Sequence, residues 1–480
     1  MAERQEKMKQ KTDFFRGLFR EYDIRGRVRP GEMDRTAVLR IARGFSRYLR
    51  RRGVQKVVVG YDNRRESPFF ARLAAETLVE QGFLVYQIGL CITPAAYFAQ
   101  YYYEAPGVMM ITASHNPKGW CGCKLGDGFA KTLDPSEIQE LYEDCRGETA
   151  AAPRAGGALY HVSIREAYLR DLLEQAAAPA NSLRVVVDAG NGAAGIYAWE
   201  LFQRLGYLTF PLHCEPDPDY PHYFPNPSEK TAREALKQAV TTVGIDGDIG
   251  LAFDGDGDRL GVVDGRGQDV WADRVLMILV WDYLKKYPGS SVVFDVKCSR
   301  ALPETIAAAG GNAIMWKTGH SYIKAKMKET GAVLGGERSG HIFFNDRGRG
   351  YDDALLAGAS LLRVLAEKGQ SLETMLDAFP SYETSSEIRI ASTDEKKYLQ
   401  IQQLQQYFVR AYGEGRVCRI NGARVDFPQY GGWALVRASS NLPELVVVAE
   451  ASDRENLQNL KAEFQRDLVK NGITEPWQNQ

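Results

Sequence analysis

Three carboxylates in a glycine-rich loop are the clearest chemical feature of the sequence. Asp254, Asp256 and Asp258 alternate with glycines after an apolar stretch. Glycine permits the tight turn that lets alternate carboxylate oxygens converge on one hard cation. A calcium EF-hand would need Gly and Glu where this chain has Arg259 and Gly265. The pattern favours Mg²⁺ shared with a phosphate oxygen, with Arg259 beside that phosphate; a solvated acidic turn is the alternative.

A second loop carries a candidate nucleophile. Residues 112–117 read Thr-Ala-Ser-His-Asn-Pro and follow an apolar strand. Ligands bind beyond strand ends in α/β sheets, so Ser114 is a candidate nucleophile with His115 and Lys124 as polar helpers. A serine hydrolase would show a nucleophile flanked by glycines, which this loop lacks. Taken alone, the loop could equally be an ordinary turn, and the residues do not rank His115 and Lys124 as general base or acid.

Two further stretches carry groups that bind sugars and phosphates. In the Gly-rich stretch 335–341, Glu337 and Ser339 lie two apart and point the same way on an extended backbone. They could hydrogen-bond to adjacent sugar hydroxyls, and His341 closes the stretch. Nearer the C-terminus, a guanidinium, two hydroxyls and an amide form a candidate phosphate cradle: Arg437, Ser439, Ser440 and Asn441. Taken alone, either stretch could be a polar connector.

Three apolar runs predict the elements that must position these loops. Val57–Gly60, Val185–Val187 and Val292–Phe294 each end in a polar loop that is followed by a helical stretch. Strands that alternate with helices predict an α/β fold, and the regular spacing of these runs predicts three related α/β domains with mixed sheets in series. The C-terminal part predicts a smaller α+β domain, with helices over 394–412 and 454–469 around short strands.

Composition changes along the chain predict three boundaries between four domains. These boundaries are a linker rich in Ala, Gly and Pro over 149–157 and two joints near 263–267 and 378–385. The predicted domains are 1–156 with the serine loop, 157–264 with the magnesium loop, 265–380 with the sugar loop and 381–480 with the phosphate loop. We expect the last domain to open and close about a hinge near Pro380 to Ser385.

Overall composition narrows the class of protein. The 480 residues are 44% hydrophobic and carry a net charge of −1, so the chain can bury a large core and has no global field for nucleic acid or acidic lipid. We expect small-molecule partners, no nucleic-acid or membrane partner, and a monomer or weak homodimer. No apolar run approaches a membrane span, the N-terminus lacks a signal-peptide core, and the seven cysteines are dispersed. These features predict reduced thiols and a cytoplasmic location.

Taken together and in this order, the four loops resemble those of the α-D-phosphohexomutase family. The chain looks most like the bacterial phosphomannomutase/phosphoglucomutase branch, from about Phe19 to about Val448. The resemblance implies four domains around a central cleft, each supplying one loop. It also implies an isomerase that interconverts hexose 1-phosphate and hexose 6-phosphate, with Mg²⁺ as cofactor and hexose 1,6-bisphosphate as intermediate and activator.

The resemblance also implies roles for particular residues. Ser114 would carry the phosphate and ligate Mg²⁺ together with Asp254, Asp256 and Asp258. His115, Lys124 and Arg259 would act with Ser114 in catalysis. The implied substrate-binding residues are Tyr22, Arg25, Lys297, Gly319, His320, Glu337, Ser339, His341, Arg437, Ser439, Ser440 and Asn441.

The choice of sugar stays open at this point. Arg338 occupies the variable position of the sugar loop, where the family branches differ. If Glu337 and Ser339 contact O3 and O4, glucose and mannose should both be accepted, because they differ only at C2. A phosphoglucosamine mutase, a magnesium-dependent sugar phosphatase and a non-catalytic sugar-phosphate binding protein are the alternatives.

Overall fold

The computed structural model describes residues 15–146, 152–180, 182–242, 248–440, 442–473 and 477. These residues form two compact units. The first contains the described residues up to Leu279 together with Ser339–Thr374, and the second contains Val280–Arg338 with the described residues from Met375 onward. Within the described part of the chain, no helix has both the length and the apolar character needed to cross a membrane.

The first unit begins with a mixed sheet that carries the serine loop. Its order is β1-β5-β4-β2-β3-β7, with β6 paired to β5. The strands are β1 (Ile24–Arg27), β2 (Lys56–Tyr61), β3 (Leu84–Leu90), β4 (Gly107–Ile111), β5 (Trp120–Gly128), β6 (Lys131–Thr132) and β7 (Ala158–His161). The helices are α1 (Arg35–Arg51), α2 (Ser67–Glu80), α3 (Thr93–Tyr102) and α4 (Pro135–Arg146). Strands β2, β3, β4 and β7 pair in parallel, whereas β5 is antiparallel to β1 and β4.

Apolar spacing explains why this layer forms. Helix α1 begins at Asp34, whose side chain accepts from the Ala37 amide, and buries Val38, Ile41 and Phe45 along one face. Those side chains join the same core cluster as Val57 and Val59 of β2. Burying each such side chain stabilises the fold by roughly 1.5–3 kcal/mol.

A second mixed sheet in the same unit carries the aspartate loop. Its order is β12-β11-β10-β8-β9. The strands are β8 (Arg184–Asp188), β9 (Leu208–Leu212), β10 (Ile249–Phe253), β11 (Leu260–Asp264) and β12 (Asp269–Val270). The helices are α5 (Arg165–Gln175), α6 (Gly195–Arg204) and α7 (Lys230–Val240). Strand β10 pairs in parallel with β8 and forms an antiparallel hairpin with β11, so the connection between β10 and β11 is a short loop at the sheet end.

The segment 272–376 contributes elements to both units. Its strands are β13 (Ser291–Asp295), β14 (Asn312–Trp316), β15 (Leu334–Gly336), β16 (Ile342–Phe344) and β17 (Tyr351–Asp352). Its helices are α8 (Ala272–Lys286), α9 (Ala301–Ala308), α10 (His320–Thr330), α11 (Ala354–Lys368) and α12 (Leu372–Leu376). In the second unit β13 pairs in parallel with β14 and β15, and in the first unit β16 and β17 form an antiparallel pair.

The C-terminal part is an antiparallel sheet covered by two long helices. Its order is β18-β23-β22-β21-β20, with β19 also paired to β23. The elements are β18 (Glu383–Thr384), β19 (Ile388–Ala391), α13 (Lys397–Tyr412), β20 (Val417–Cys418), β21 (Ala423–Phe427), β22 (Gly432–Ala438), β23 (Glu444–Ala451) and α14 (Arg454–Lys470). One-turn 3-10 helices span Glu414–Arg416 and Pro428–Tyr430. Phe408 of α13 stacks on Phe464 of α14 at 5.1 Å between ring centroids, which fixes both helices on the sheet.

The predicted fold class is confirmed: mixed α/β sheets are followed by a smaller α+β domain. All three predicted strands form, as β2, β8 and β13. Strands β19 and β21 were not predicted, because their apolar runs are short and interrupted by charges such as Arg389 and Asp426. The three domain boundaries and the cleft stay predictions. Residues 149–151 of the predicted linker lie outside the described residues.

Candidate active site

The serine loop joins β4 to the antiparallel strand β5. Ser114 is 1% exposed and has a backbone φ of 49°, in the left-handed region that non-glycine residues seldom adopt. Its amide donates to the Thr112 hydroxyl at 2.9 Å. This unusual backbone lies at the candidate nucleophile, so neighbouring groups must hold it.

Two side chains meet the Ser114 hydroxyl. The Oγ lies 3.3 Å from Asp254 Oδ2 and 3.0 Å from His115 Nδ1. Burial, together with the positive charges of Arg259 and Arg25, lowers the pKa of His115 well below its usual value. A neutral imidazole with a free Nδ1 lone pair can accept a proton from an adjacent hydroxyl, so His115 has the geometry and charge of a general base.

The aspartate loop is the connection between β10 and β11. Asp254 Oδ1 accepts from the amides of Asp258 at 3.1 Å and Arg259 at 3.2 Å, which closes the turn. Gly257 has a φ of 70°, a conformation that glycine adopts without strain. Because Oδ1 is used by the turn, Asp254 Oδ2 is the oxygen that reaches Ser114.

The three carboxylates fit a hard divalent cation. One oxygen of each of Asp254, Asp256 and Asp258 lies within 4.8 Å of the others, and all three residues are buried. Asp256 Oδ1 and Asp258 Oδ1 have no hydrogen-bond partner among the described residues. Burial and the charges of Asp258 and Asp256 raise the pKa of Asp254 well above its usual value. Unsatisfied buried carboxylate oxygens are unfavourable without a counter-charge, and oxygen ligands of this kind suit Mg²⁺.

Residues of helix α3 and strand β5 bind Asp256 and Asp258 of this cluster. Thr93, at the start of α3, donates its hydroxyl to Asp256 Oδ2 at 2.7 Å and its amide to the Asp256 carbonyl at 2.8 Å. Lys124 of β5 donates to Asp256 Oδ2 at 2.8 Å and forms a second ion pair with Asp258. Burial disfavours the charged form of Lys124, but the negative charges of Asp256 and Asp258 outweigh burial and raise the pKa of Lys124 well above its usual value. Lys124 therefore stays positively charged and serves the cluster as a cation.

A hydrogen-bonded chain holds the guanidinium of Arg259. Arg259 Nε donates to His341 Nε2 at 2.9 Å, and His341 Nδ1 donates to Asp352 Oδ2 at 2.8 Å. The same Nε lies 4.0 Å from Asp254 Oδ2. Asp352 thus sets the imidazole tautomer that accepts from Arg259.

Arg25 lies against the serine loop. Its guanidinium donates to Asn116 Oδ1 at 2.7 Å and to the Ala113 carbonyl at 3.2 Å, while Asp23 pairs with it. Tyr22, the residue immediately before Asp23, is buried. The first unit therefore gathers the predicted catalytic and metal residues into one cluster.

The sugar loop is divided between the units. Glu337 belongs to the second unit, where its carboxylate accepts from the Gly319 amide. His320 follows at the start of α10 and is buried. Ser339, which the sequence pairs with Glu337, belongs to the first unit and is half-buried.

The phosphate loop follows β22 in the second unit. Arg437 Nε donates to Asn421 Oδ1 at 2.9 Å and its NH2 donates to Ser440 Oγ at 3.2 Å. Asn421 Oδ1 also accepts from the Thr318 amide at 3.3 Å, so one amide side chain joins this loop to the residue next to Gly319. Asn441 lies outside the described residues.

Lys297, after β13, forms an ion pair of 3.1 Å with Glu387. Burial disfavours the charged form of Glu387, but the positive charge of Lys297 outweighs burial and lowers the pKa of Glu387 to about 2, so this carboxylate stays charged. This contact connects the loop after β13 to the C-terminal part within the second unit. Ser439, the remaining member of the phosphate loop, is buried, and its Oγ accepts from the Leu442 amide at 3.2 Å.

Sequence reasoning missed several residues of these clusters: Thr93, Asp352, Glu387 and Asn421. Thr93 follows a strand end, as catalytic loops do, and this position was a usable signal. Asp352 ends the two-residue strand β17 and Glu387 precedes β19, and no local pattern marks either residue as part of a site.

Comparison with known proteins assigns the family. Domain models of phosphoglucomutase/phosphomannomutase match the chain in order along its length: α/β/α domain I over 16–152, domain II over 166–267, domain III over 271–382 and the C-terminal domain over 387–466. The chain belongs to the phosphoglucomutase/phosphomannomutase family. The predicted resemblance is confirmed, and with it the class of enzyme: a hexose-phosphate mutase, which is an isomerase.

Relatives of this family match nearly the whole chain. A phosphomannomutase/phosphoglucomutase of Pseudomonas aeruginosa is 39% identical over 94% of this chain and 95% of its own length. That of Pseudomonas putida is 41% identical over 94% of this chain and 96% of its own length. A crystal structure of a phosphoglucomutase/phosphomannomutase family protein from Burkholderia thailandensis is 33% identical, has a TM-score of 0.87, and covers 96% of this chain and 99% of that one.

Proposed function

We propose that this mutase interconverts the 1- and 6-phosphates of glucose and mannose through a phosphorylated Ser114 and a hexose 1,6-bisphosphate. The observation that carries the proposal is the 3.3 Å contact between the Ser114 hydroxyl and Asp254 of the buried aspartate cluster. A hydroxyl beside converging carboxylates is what a metal-assisted phosphoserine requires.

The cofactor of the proposal is Mg²⁺. Asp254, Asp256, Asp258 and the phosphorylated Ser114 would hold it, which the unpartnered buried oxygens of the cluster support. When bound, the ion offsets the negative charge of the transferring phosphoryl group. Lys124 and Arg259 add fixed positive charge at the same place, in a buried setting where such charge is most effective.

We assign to His115 the relay of the proton in each phosphoryl transfer. In the first step the bond between phosphorus and Ser114 Oγ breaks, a bond forms between phosphorus and the free sugar hydroxyl oxygen, and the hydroxyl proton ends on Ser114 Oγ. His115 Nδ1, 3.0 Å from that Oγ, relays the proton. After the bisphosphate reorients, the reverse transfer returns the other phosphate to Ser114. The raised pKa of Lys124 argues against that residue as the base.

The substrate contacts of the proposal follow the predicted roles. Glu337, Ser339 and His341 would bind the sugar, and the loop of Arg437, Ser439, Ser440 and Asn441 would hold the phosphate that is not transferred. Tyr22, Arg25, Lys297, Gly319 and His320 would complete the binding residues. The Arg437–Asn421–Thr318 contact supports a joint role for the phosphate loop and the loop of Gly319.

The sugar and the setting belong to the same proposal. The two Pseudomonas relatives carry both phosphomannomutase and phosphoglucomutase in their names, which favours glucose and mannose over glucosamine. We further propose that hexose 1,6-bisphosphate activates the enzyme, that the chain acts in the cytoplasm as a monomer or weak homodimer, and that its domains end at residues 156, 264 and 380.

A coupled assay tests the proposal. Glucose 1-phosphate and mannose 1-phosphate are each offered with MgCl₂ and a trace of glucose 1,6-bisphosphate, and both 6-phosphates should form. Ser114→Ala should abolish turnover, whereas Ser360→Ala, at a buried serine of α11, should retain it. Release of inorganic phosphate in step with substrate loss would instead indicate a phosphatase, and exclusive use of glucosamine 1-phosphate would overturn the sugar assignment.

A further inference from the structure

A buried arginine that the catalytic proposal does not use binds the backbone of the serine loop. Arg64 follows β2 and is 3% exposed. Its guanidinium donates to four carbonyls of the loop and its flank: Ser114 at 2.7 Å, Asn116 at 2.6 Å, Pro117 at 3.1 Å and Trp120 at 3.0 Å. The side chain thus contacts both the nucleophile and the residues that follow it.

Other side chains fix the orientation of this guanidinium. Arg64 Nε donates to Asp62 Oδ2 at 3.1 Å, and the Arg64 amide donates to Asp62 Oδ1 at 3.1 Å. Ser67 donates to Asp62 Oδ1 at 2.6 Å, and the guanidinium carbon lies 5.1 Å from the centre of the Phe224 ring. The five N–H groups of arginine form a rigid planar fork, so an arginine held in this way fixes several acceptors at once.

The serine loop needs such a restraint. Ser114 has a φ of 49°, and a non-glycine residue keeps that conformation only where its surroundings impose it. Gly255 of the aspartate loop lies so close that a Cβ there would come within 3.0 Å of the Ser114 carbonyl. One of the carbonyls that Arg64 binds, that of Ser114, therefore lies close to the aspartate loop, which Ser114 also meets through its hydroxyl.

We propose that Arg64 is a positioning residue for phosphoryl transfer. By binding the carbonyls of residues 114, 116, 117 and 120, it keeps Ser114 Oγ at the distance from Asp254 that transfer requires. The proposal rests on the proposed role of Ser114 as the phosphate carrier. The contacts of Arg64 among the described residues are with loop carbonyls, Asp62 and Phe224, so its loss should affect turnover rather than hexose binding.

Lysine and alanine at this position separate positioning from charge. In Arg64→Lys, three donors on one nitrogen cannot span four carbonyls, so we expect kcat for glucose 1-phosphate to fall about 100-fold with KM essentially unchanged. Added guanidinium ion should restore part of the kcat of Arg64→Ala. If Arg64→Ala does not fold, Asp62→Asn, which keeps Arg64 but weakens its hold, should lower kcat in the same direction.

Phosphate on Ser114 is measured in the same proteins by intact mass after incubation with glucose 1,6-bisphosphate. We expect wild type to be phosphorylated quickly and Arg64→Lys slowly. The matched control is Arg165→Lys, because Arg165 also donates twice to a backbone carbonyl, that of Ile196 at 2.7 Å and 3.1 Å, but far along the chain from the serine loop. Arg165→Lys should have a lower melting temperature than wild type but the same kcat.

Three outcomes would overturn the proposal. Arg64→Lys could keep the wild-type kcat, its KM could rise with kcat unchanged, or its loss of kcat could be matched by Arg165→Lys at equal loss of melting temperature. A wild-type protein that takes no phosphate on Ser114 would overturn the proposed function together with this inference. An active, phosphorylated wild type beside an equally active Arg64→Lys would overturn this inference alone.

Discussion

Replacing Lys124 with methionine tests how the buried charges of the aspartate cluster are balanced. Lys124 Nζ lies 2.8 Å from Asp256 Oδ2, is also paired with Asp258, and has a side chain that is only 4% exposed. Removing one partner of a buried ion pair costs about 3–5 kcal/mol, because the remaining charge is left without compensation. In a folded unit of about 150–250 residues each kcal/mol lowers the melting temperature by roughly 2–4 °C. We therefore expect Lys124→Met to melt about 6–20 °C below wild type in EDTA.

Magnesium should reduce the difference in melting temperature between Lys124→Met and wild type. An ion that binds only the folded state stabilises it by about 2.7 kcal/mol when its concentration is 100 times its Kd. Without the competing ammonium, Asp256 and Asp258 should bind the ion more tightly in Lys124→Met than in wild type. Differential scanning calorimetry of both proteins, in EDTA and in saturating MgCl₂, measures the two differences directly.

A difference of equal size in EDTA and in MgCl₂ would refute the reasoning, because it would mean that Lys124 and the cation do not share carboxylates. The matched control is Lys397→Met. Lys397 is also buried, but its Nζ donates to the carbonyls of Ser439 at 2.7 Å and Leu442 at 3.0 Å, in the second unit. Its loss of stability should be the same with and without magnesium.

Two further variants probe acidic groups whose pKa the surroundings shift. Glu387→Gln removes the negative charge beside Lys297, so KM for hexose phosphates should fall about fivefold at low salt, equivalent to roughly 1 kcal/mol, and a higher KM would contradict this. Burial raises the pKa of Asp353 to about 7. Because its unfolded pKa is about 3.9, its contribution to stability is fully present below about pH 4 and lost as the pH rises through 7. Asp353→Asn keeps a helix-capping side chain and should make urea-unfolding free energy less dependent on pH over this range; an unchanged pH slope would contradict the assignment.

Local sequence predicted the features that depend on local backbone geometry. The Asp-Gly-Asp-Gly-Asp-Arg run predicted a tight loop with converging carboxylates, and the structure shows it as the β10–β11 connection. The valine-rich runs predicted buried strands, because β-branched side chains that repeat over a short segment suit no other buried element as well. These predictions needed no knowledge of the rest of the chain.

Contacts between distant segments could not be predicted in this way. Lys124 meets Asp256 across 132 residues, and that meeting depends on the register of β5, where Lys124 lies opposite Met110. A shift of one residue would turn Lys124 to the other face of the sheet, and nothing in its neighbourhood encodes the register. For this reason the sequence left His115 and Lys124 unranked as the base, and our proposal of His115 draws on the ion pairs that raise the pKa of Lys124.

The serine loop shows why the two kinds of information must be combined. Its own residues supply the hydroxyl and the imidazole, and they were recognisable at once. They do not supply the backbone conformation, because the φ of 49° at Ser114 is unfavourable for serine in isolation. The carbonyl of that residue is held by Arg64, 50 residues earlier, and its hydroxyl meets Asp254, 140 residues later. A loop that carries a nucleophile in a strained conformation must take its geometry from elsewhere, so mutations at its distant supports should lower turnover even though they leave the hydroxyl and the imidazole in place.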